Sequence, residues 1–197
     1  QIPYVLNMIQ QETMIMSNLN HNNIVRVYDV LNTMNNVYVV QEFCEGSDLS
    51  IKLLEGKVFS EKEVLLILKD ILSALAELKK VGVMHRDIKP ANIFLNKNEY
   101  KLGDFGFARS LDYSNEPLEN FLVGTPLYMS PQCLQKIHYT EKADMWALGI
   151  TLFELLTGNV PGPAESPEDL VHDIYNKRII FPKTVSKFFR NFIEKCL

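Results

Sequence analysis

Apolar residues recur along this chain with a helical period in some stretches and a strand-like alternation in others. Residues 7–19, NMIQQETMIMSNL, place Met8, Ile9, Ile15, Met16 and Leu19 at roughly helical spacing, which predicts an amphipathic helix. NIVRVYDVL and NVYVVQEF are rich in β-branched and aromatic residues and flank NTMNN, so they predict a hairpin. EGSDLS then reads as a turn. Ser60 and Glu63 have the Ser-x-x-Glu spacing of a capping box. Behind them Val64, Leu68, Ile71, Leu75 and Leu78 fall on one helical face, and Gly82 ends the helix. NIFL and YKLGDF around NKNE predict a second hairpin. From Thr140, EKADMWALGITLFELLTG is apolar nearly all the way round, which predicts a helix buried on every side. SPEDLVHDIYN and SKFFRNFIEKCL predict two more helices. The order is a small strand region followed by a large helical one, an α+β chain without an internal repeat.

Composition narrows the class. At 197 residues, 47% apolar and 22% charged, the chain can bury a core and is not of disordered type. A net charge of -4 offers no basic surface for nucleic acid or anionic membrane. Charged residues interrupt every apolar stretch before it could span a bilayer. Cys44, Cys133 and Cys196 are far apart and lack metal-ligand spacing, which fits reduced thiols and a cytoplasmic setting. The chain begins at Gln1 and stops within a helical pattern, so it reads as a fragment.

The chemistry concentrates in VMHRDIKPANIFL, residues 83–95, where charged residues sit between apolar ones. Such a segment suggests polar groups held at fixed positions by an apolar frame. Two further clusters accompany it: DFG at 104–106 and GTPLYMSP at 124–131. Asn92 follows Asp87 by five residues, and the gap from Asp87 to Asp104 is 17 residues, enough for the hairpin and little else. Together these match the signature His-Arg-Asp-Leu-x-x-x-Asn followed by Asp-Phe-Gly, with Ile88 in place of the Leu. The chain resembles the eukaryotic protein kinase domain of serine/threonine type over essentially its whole length. EFCEGSDL, DFGFARSL and GTPLYMSP look most similar to the unc-51-like kinases that initiate autophagy.

The resemblance implies a bilobal fold. Residues 1–43 would be a truncated N-lobe, one helix plus a β-hairpin, and 44–197 a mainly α-helical C-lobe, incomplete at its end. It implies transfer of the ATP γ-phosphate to Ser or Thr hydroxyls of protein substrates, with Mg²⁺ and with regulatory proteins as possible partners. Asp87 would accept or orient the hydroxyl proton, and Lys89 would offer charge to the moving phosphoryl group. Asn92 and Asp104 would supply oxygens to Mg²⁺. Glu12 would pair with a nucleotide-binding Lys. Gln41 would guard the back of the adenine pocket, the backbones of Glu42 and Cys44 would bond the adenine edge, Asp48 would reach the ribose, and Phe94 would lie under the base. His85 would pack beneath Phe105, in a column with Met16 and Val27, followed by Gly106. Arg86, with Arg109, would anchor the activation segment. Thr125 would bond Asp87 and Lys89, and Asp144 would hold the backbone of the His85–Arg86 turn.

Plainer readings stand beside these. A lone loop Asp is usually a turn former, Glu12 could be a surface residue of an amphipathic helix, Arg86 could be solvated, and NIFL could be an ordinary core strand. There are also departures from the family. The Gly-rich loop and the nucleotide-binding Lys are not in these residues. Ala-Pro-Glu is replaced by SPQ at 130–132, the usual phosphothreonine position holds Phe121, and GNVPGP replaces a Pro-Phe. Glu116 or Glu119 could fill the basic pocket unmodified, or Ser114 could be phosphorylated. Two rival functions follow: a pseudokinase acting as a binding or scaffold module, and a metal hydrolase using Asp87 and Asp104. The second leaves Lys89 and GTPLYMSP unexplained.

Overall fold

The computed structural model describes residues 17, 19–33, 36–110, 124–135, 140–161, 166–176 and 179–197. The helix expected over 7–19, with Glu12 and Met16, lies outside these apart from Ser17 and Leu19, as does the segment holding Phe121, Ser114, Glu116 and Glu119.

Strands β1 (Val27–Asn32) and β2 (Val37–Gln41) form the first expected hairpin, antiparallel with a bulge between Val27 and Asp29. The segment read as a plain turn, EGSDLS, opens instead into a short helix, α1 (Leu49–Leu54). The Asp48 carboxylate caps it, accepting the N–H groups of Ser50 at 2.9 Å and Ile51 at 3.2 Å. Helix α2 (Glu61–Lys80) follows with the expected capping box: Ser60 Oγ accepts Glu63 N–H, and Glu63 Oε2 accepts Ser60 N–H at 2.9 Å. Val64, Ile67, Leu68, Ile71, Ala74 and Leu78 line its buried face. Leu75 is only partly buried, because the stripe is centred on Ile67, Ile71 and Ala74.

Strand β3 (Val83–Met84) leads into the loop that carries His85 to Lys89, closed by a 3-10 turn at Pro90–Asn92. Strands β4 (Ile93–Asn96) and β5 (Glu99–Leu102) form the second hairpin. The two residues of β6 (Arg109–Ser110) pair with β3. Each sheet among the described residues has two strands, and a parallel bridge from Ile24 to Leu102 brings the segment before β1 against β5. After a 3-10 turn at Pro126–Tyr128 come α3 (Pro131–Leu134), α4 (Glu141–Thr157), α5 (Pro167–Asn176) and α6 (Lys187–Cys196).

Helix α4 is the axis of the core. Twelve of its 17 residues are buried, as its all-round apolar pattern requires. It packs on α2 and on α6, and Gly149 permits the latter: a Cβ there would lie 2.8 Å from Cys196 Cβ. No helix among the described residues is long and apolar enough to cross a membrane.

Replacing Ser60 with Ala removes the cap oxygen at the head of α2. The expected loss is about 1 kcal/mol of stability, read as a lower urea midpoint with an unchanged slope.

Candidate active site

The site begins on the buried helix. Asp144, in the first turn of α4, is 4% exposed and accepts two successive backbone N–H groups, His85 at 2.9 Å and Arg86 at 2.8 Å. Two amides face one carboxylate because Arg86 adopts φ +69°, the left-handed region that L-residues avoid without support. Burial pushes the Asp144 carboxyl up, and His85 and Arg86 offset part of that.

His85 is fully buried and its two ring nitrogens are assigned by their partners. Gly103 O can only accept, so Nε2 carries the hydrogen across 3.0 Å; Asp87 N–H can only donate, so Nδ1 is bare at 3.3 Å. Burial holds its pKa below the ordinary value, which keeps this neutral tautomer. The ring meets Phe105 edge-on at 4.8 Å. Arg86 is buried as well, and its Nε donates to Phe107 O, so the loop is tied to the segment after Asp104 by both side chains.

Asp87 is 3% exposed and each carboxylate oxygen has two donors. Oδ1 accepts the N–H and the hydroxyl of Thr125 at 2.8 and 2.9 Å. Oδ2 accepts Asn92 Nδ2 at 2.9 Å and Lys89 Nζ at 2.8 Å. Lys89 Nζ also donates to Thr125 Oγ1 at 2.6 Å, which closes a ring of three side chains, with Asn92 attached through Asp87. Burial alone would raise the Asp87 carboxyl; hydrogen bonds from Lys89, Thr125 and Asn92 outweigh it and hold the group below its usual range. Thr125 reaches Asp87 because Gly124, at φ +108°, passes over Arg86: a Cβ on Gly124 would sit 2.6 Å from Arg86 O.

Asn92 Nδ2 also donates to Asp87 O at 2.7 Å. With its amide nitrogen spent, the Oδ1 atom has no protein donor among the described residues and presents a bare oxygen. Gly103 N–H donates to Asn92 O at 3.0 Å, placing Asp104 beside it. Asp104 is exposed, at φ +56°, and among the described residues its carboxylate accepts only Gly106 N–H, at 3.3 Å. An amide oxygen and a carboxylate with capacity to spare fit Mg²⁺, which takes oxygen ligands and keeps several waters. No cluster of three or more His, Cys, Asp or Glu exists among the described residues to compete for it.

Of the residues expected around adenine, Glu42 meets the far end of β4 at Asn96 and Asp48 meets Phe94 near its start. Gln41 is exposed at the end of β2. Glu42 N–H donates to Arg26 O at 2.8 Å, so its carbonyl is the backbone group without a backbone partner among the described residues. Its carboxylate turns inward onto Lys101, Asn96 and Arg26 N–H; burial would raise it, and these donors outweigh burial and lower it. Cys44 is partly buried, and burial together with the Glu42 charge raises its thiol. Gly46 N–H to Leu95 O and Leu95 N–H to Ser47 O zip this segment to β4, and Asp48 bridges Phe94. The Phe94 ring lies against Gly103, where a Cβ would come within 3.0 Å of it. The backbone of Arg109 sits in β6 opposite Met84.

Three features escaped the sequence reading. Asp48 is a helix cap, although its spacing before an apolar run could have announced one. Lys101 occupies a buried position in β5, a placement that demands a partner. Tyr128 donates its hydroxyl to Glu154 at 2.6 Å, where burial raises the pKa of both groups. Ser130 caps α3, so SPQ starts that helix, with Gln132 exposed.

A buried His-Arg-Asp turn, a saturated Asp and an oxygen pair beside it make an arrangement whose chemistry suits phosphoryl transfer. The protein kinase domain model matches residues 4–197, and the chain belongs to that family. It is 37% identical over 196 residues to the serine/threonine-protein kinase atg1 of Dictyostelium discoideum, covering 96% of this chain and 29% of that protein. It is 38% identical over 173 residues to human serine/threonine-protein kinase ULK1, covering 83% of this chain and 16% of the relative. It is 39% identical over 193 residues to serine/threonine-protein kinase 36 of Pongo abelii, covering 98% and 14%. The chain thus spans less than a third of the length of these relatives.

Asp144→Ala strands two buried N–H groups and should cost about 3 kcal/mol in unfolding experiments, with Asp144→Asn losing less because one acceptor stays. His85 supplies a pH test. Its folded pKa lies below the ordinary 6.5, so its contribution is present above that pH and is lost as pH falls toward the folded value. The slope of stability against pH just below 6.5 should flatten in His85→Phe.

Proposed function

We propose that the protein containing this chain is an ATP-dependent serine/threonine protein kinase. The observation that carries the reading is the closed ring around Asp87 with bare oxygens of Asn92 and Asp104 beside it. Asp87 is held anionic and oriented by four donors, so it can turn a substrate hydroxyl toward the phosphoryl group and take up its proton. Lys89 bridges Asp87 and Thr125, which supports a role for its positive charge in offsetting the negative charge that moves during transfer. Bound Mg²⁺, held by Asn92 and Asp104, would neutralise phosphate oxygens. Glu42 and Cys44 would receive the adenine edge through their backbones and Phe94 would floor it, with the ribose near the free oxygen of Asp48.

The Lys89–Thr125 pair supports serine or threonine rather than tyrosine as acceptor. Proteins are the substrates in this reading, with regulatory proteins as further partners. A cytoplasmic setting agrees with the three free thiols, Cys44, Cys133 and Cys196.

The test uses the full-length protein, labelled ATP, Mg²⁺ and mixed Ser, Thr and Tyr peptides. Label should appear on Ser or Thr, and Asp87→Asn should lower kcat about a thousandfold while ATP binding persists. ATP binding without transfer in the unaltered protein would instead favour a binding module.

A further inference from the structure

Resting on that reading, we infer that Glu42 and Lys101 form a positioning latch, which holds the adenine-binding segment at a set distance from the metal-binding carboxylate of Asp104. Lys101 Nζ lies 3.0 Å from each oxygen of the Glu42 carboxylate. Asn96 Nδ2 donates to Oε1 at 2.7 Å, and Arg26 N–H to Oε2 at 3.2 Å. One carboxylate therefore collects donors from β4, β5 and the segment before β1. Lys101 is 8% exposed, and apart from Lys89–Asp87 this is the most enclosed of the described ion pairs.

A buried ion pair is a weak source of stability, because desolvation cancels most of the attraction. Its use lies in direction. Lys101 sits three residues before Asp104 on β5, and it faces Phe94 in the β4–β5 register. The latch thus touches the segment that meets the base edge, the strand that carries its floor, and the strand that leads to the metal ligand. Glu42 holds its own backbone through Arg26 O, so the carbonyl it presents is fixed before any nucleotide arrives. Cutting the latch leaves a buried charge without its counter-ion: the Lys101 ammonium in Glu42→Gln, the Glu42 carboxylate in Lys101→Met. That charge then seeks water, the segment loosens, and binding must supply the ordering that the fold now supplies.

The experiment uses the full-length protein as wild type, Glu42→Gln, Lys101→Met, their double variant and Lys101→Arg. The probes are ATP with Mg²⁺, adenosine, and inorganic triphosphate. Each single change should raise the KM for ATP about tenfold and weaken adenosine by the same factor, with kcat within about twofold. Triphosphate affinity should not move, the double variant should be no worse than the worse single, and Lys101→Arg should restore binding. Unchanged adenosine affinity in folded Lys101→Met, or a fall in kcat at constant KM, overturns the latch. Should Lys101→Met fail to fold, Asn96→Ala removes one donor and leaves the pair; it should weaken adenosine about threefold, and no change would overturn the latch. A wild-type protein that binds no nucleotide sinks the kinase reading itself, whereas equal binding by wild type and variants sinks only the latch.

Discussion

Everything at the site hangs from one buried carboxylate that accepts two consecutive backbone N–H groups. Asp144 could not be buried charged without such donors, and the His85–Arg86 turn could not hold φ +69° without such an acceptor. Each half removes the cost of the other. The carboxylate is rigid because it belongs to α4, the helix that the core surrounds. The turn is rigid in consequence, and its next residue is Asp87. Order then passes outward: His85 fixes Asp87 N–H on one side and Gly103 O on the other, and Gly103 precedes Asp104. Two carboxylates 17 residues apart are thereby referred to one imidazole.

A second constraint closes the site from the opposite direction. The segment at 124–131 approaches so closely that only a glycine can pass Arg86 O, and Thr125 then completes the ring on Asp87. An ionised Asp in a nearly dry place needs all four of its donors, and each comes with its own support. Asn92 is set by the 3-10 turn, Thr125 by Gly124, and Lys89 by the two oxygens it spans. Removing any one leaves the others mispaired, so these residues act as a unit and their contributions are not additive.

Much of this was legible in the sequence because it rests on local pattern. The Ser60 box, the all-round apolar α4 and the fixed spacing from Asp87 through Asn92 to Asp104 each signal a short-range physical requirement. What escaped depended on long-range contact or on competition between local signals. Asp48 sits beside Gly46 and Ser47, whose turn chemistry masked the helix it caps. Nothing in the local pattern marks Lys101 as buried; the partner that covers it, Glu42, lies 59 residues earlier. The Tyr128–Glu154 pair joins a 3-10 turn to α4, and no periodicity relates the two.

The two enclosed ion pairs answer to opposite demands. Lys89 shares its ammonium between Asp87 and Thr125 and is the more exposed partner, so it can re-aim as charge moves nearby. In the proposed reaction its pair must be adjustable, because transfer would displace the charges it faces. Lys101 is buried and meets a carboxylate that two further donors, Asn96 Nδ2 and Arg26 N–H, hold in place. Its pair must be static, because it measures a distance. A site that moves a phosphoryl group needs both kinds: one charge free to follow the chemistry, and one fixed so that the base, and with it the far end of the nucleotide, does not follow it too.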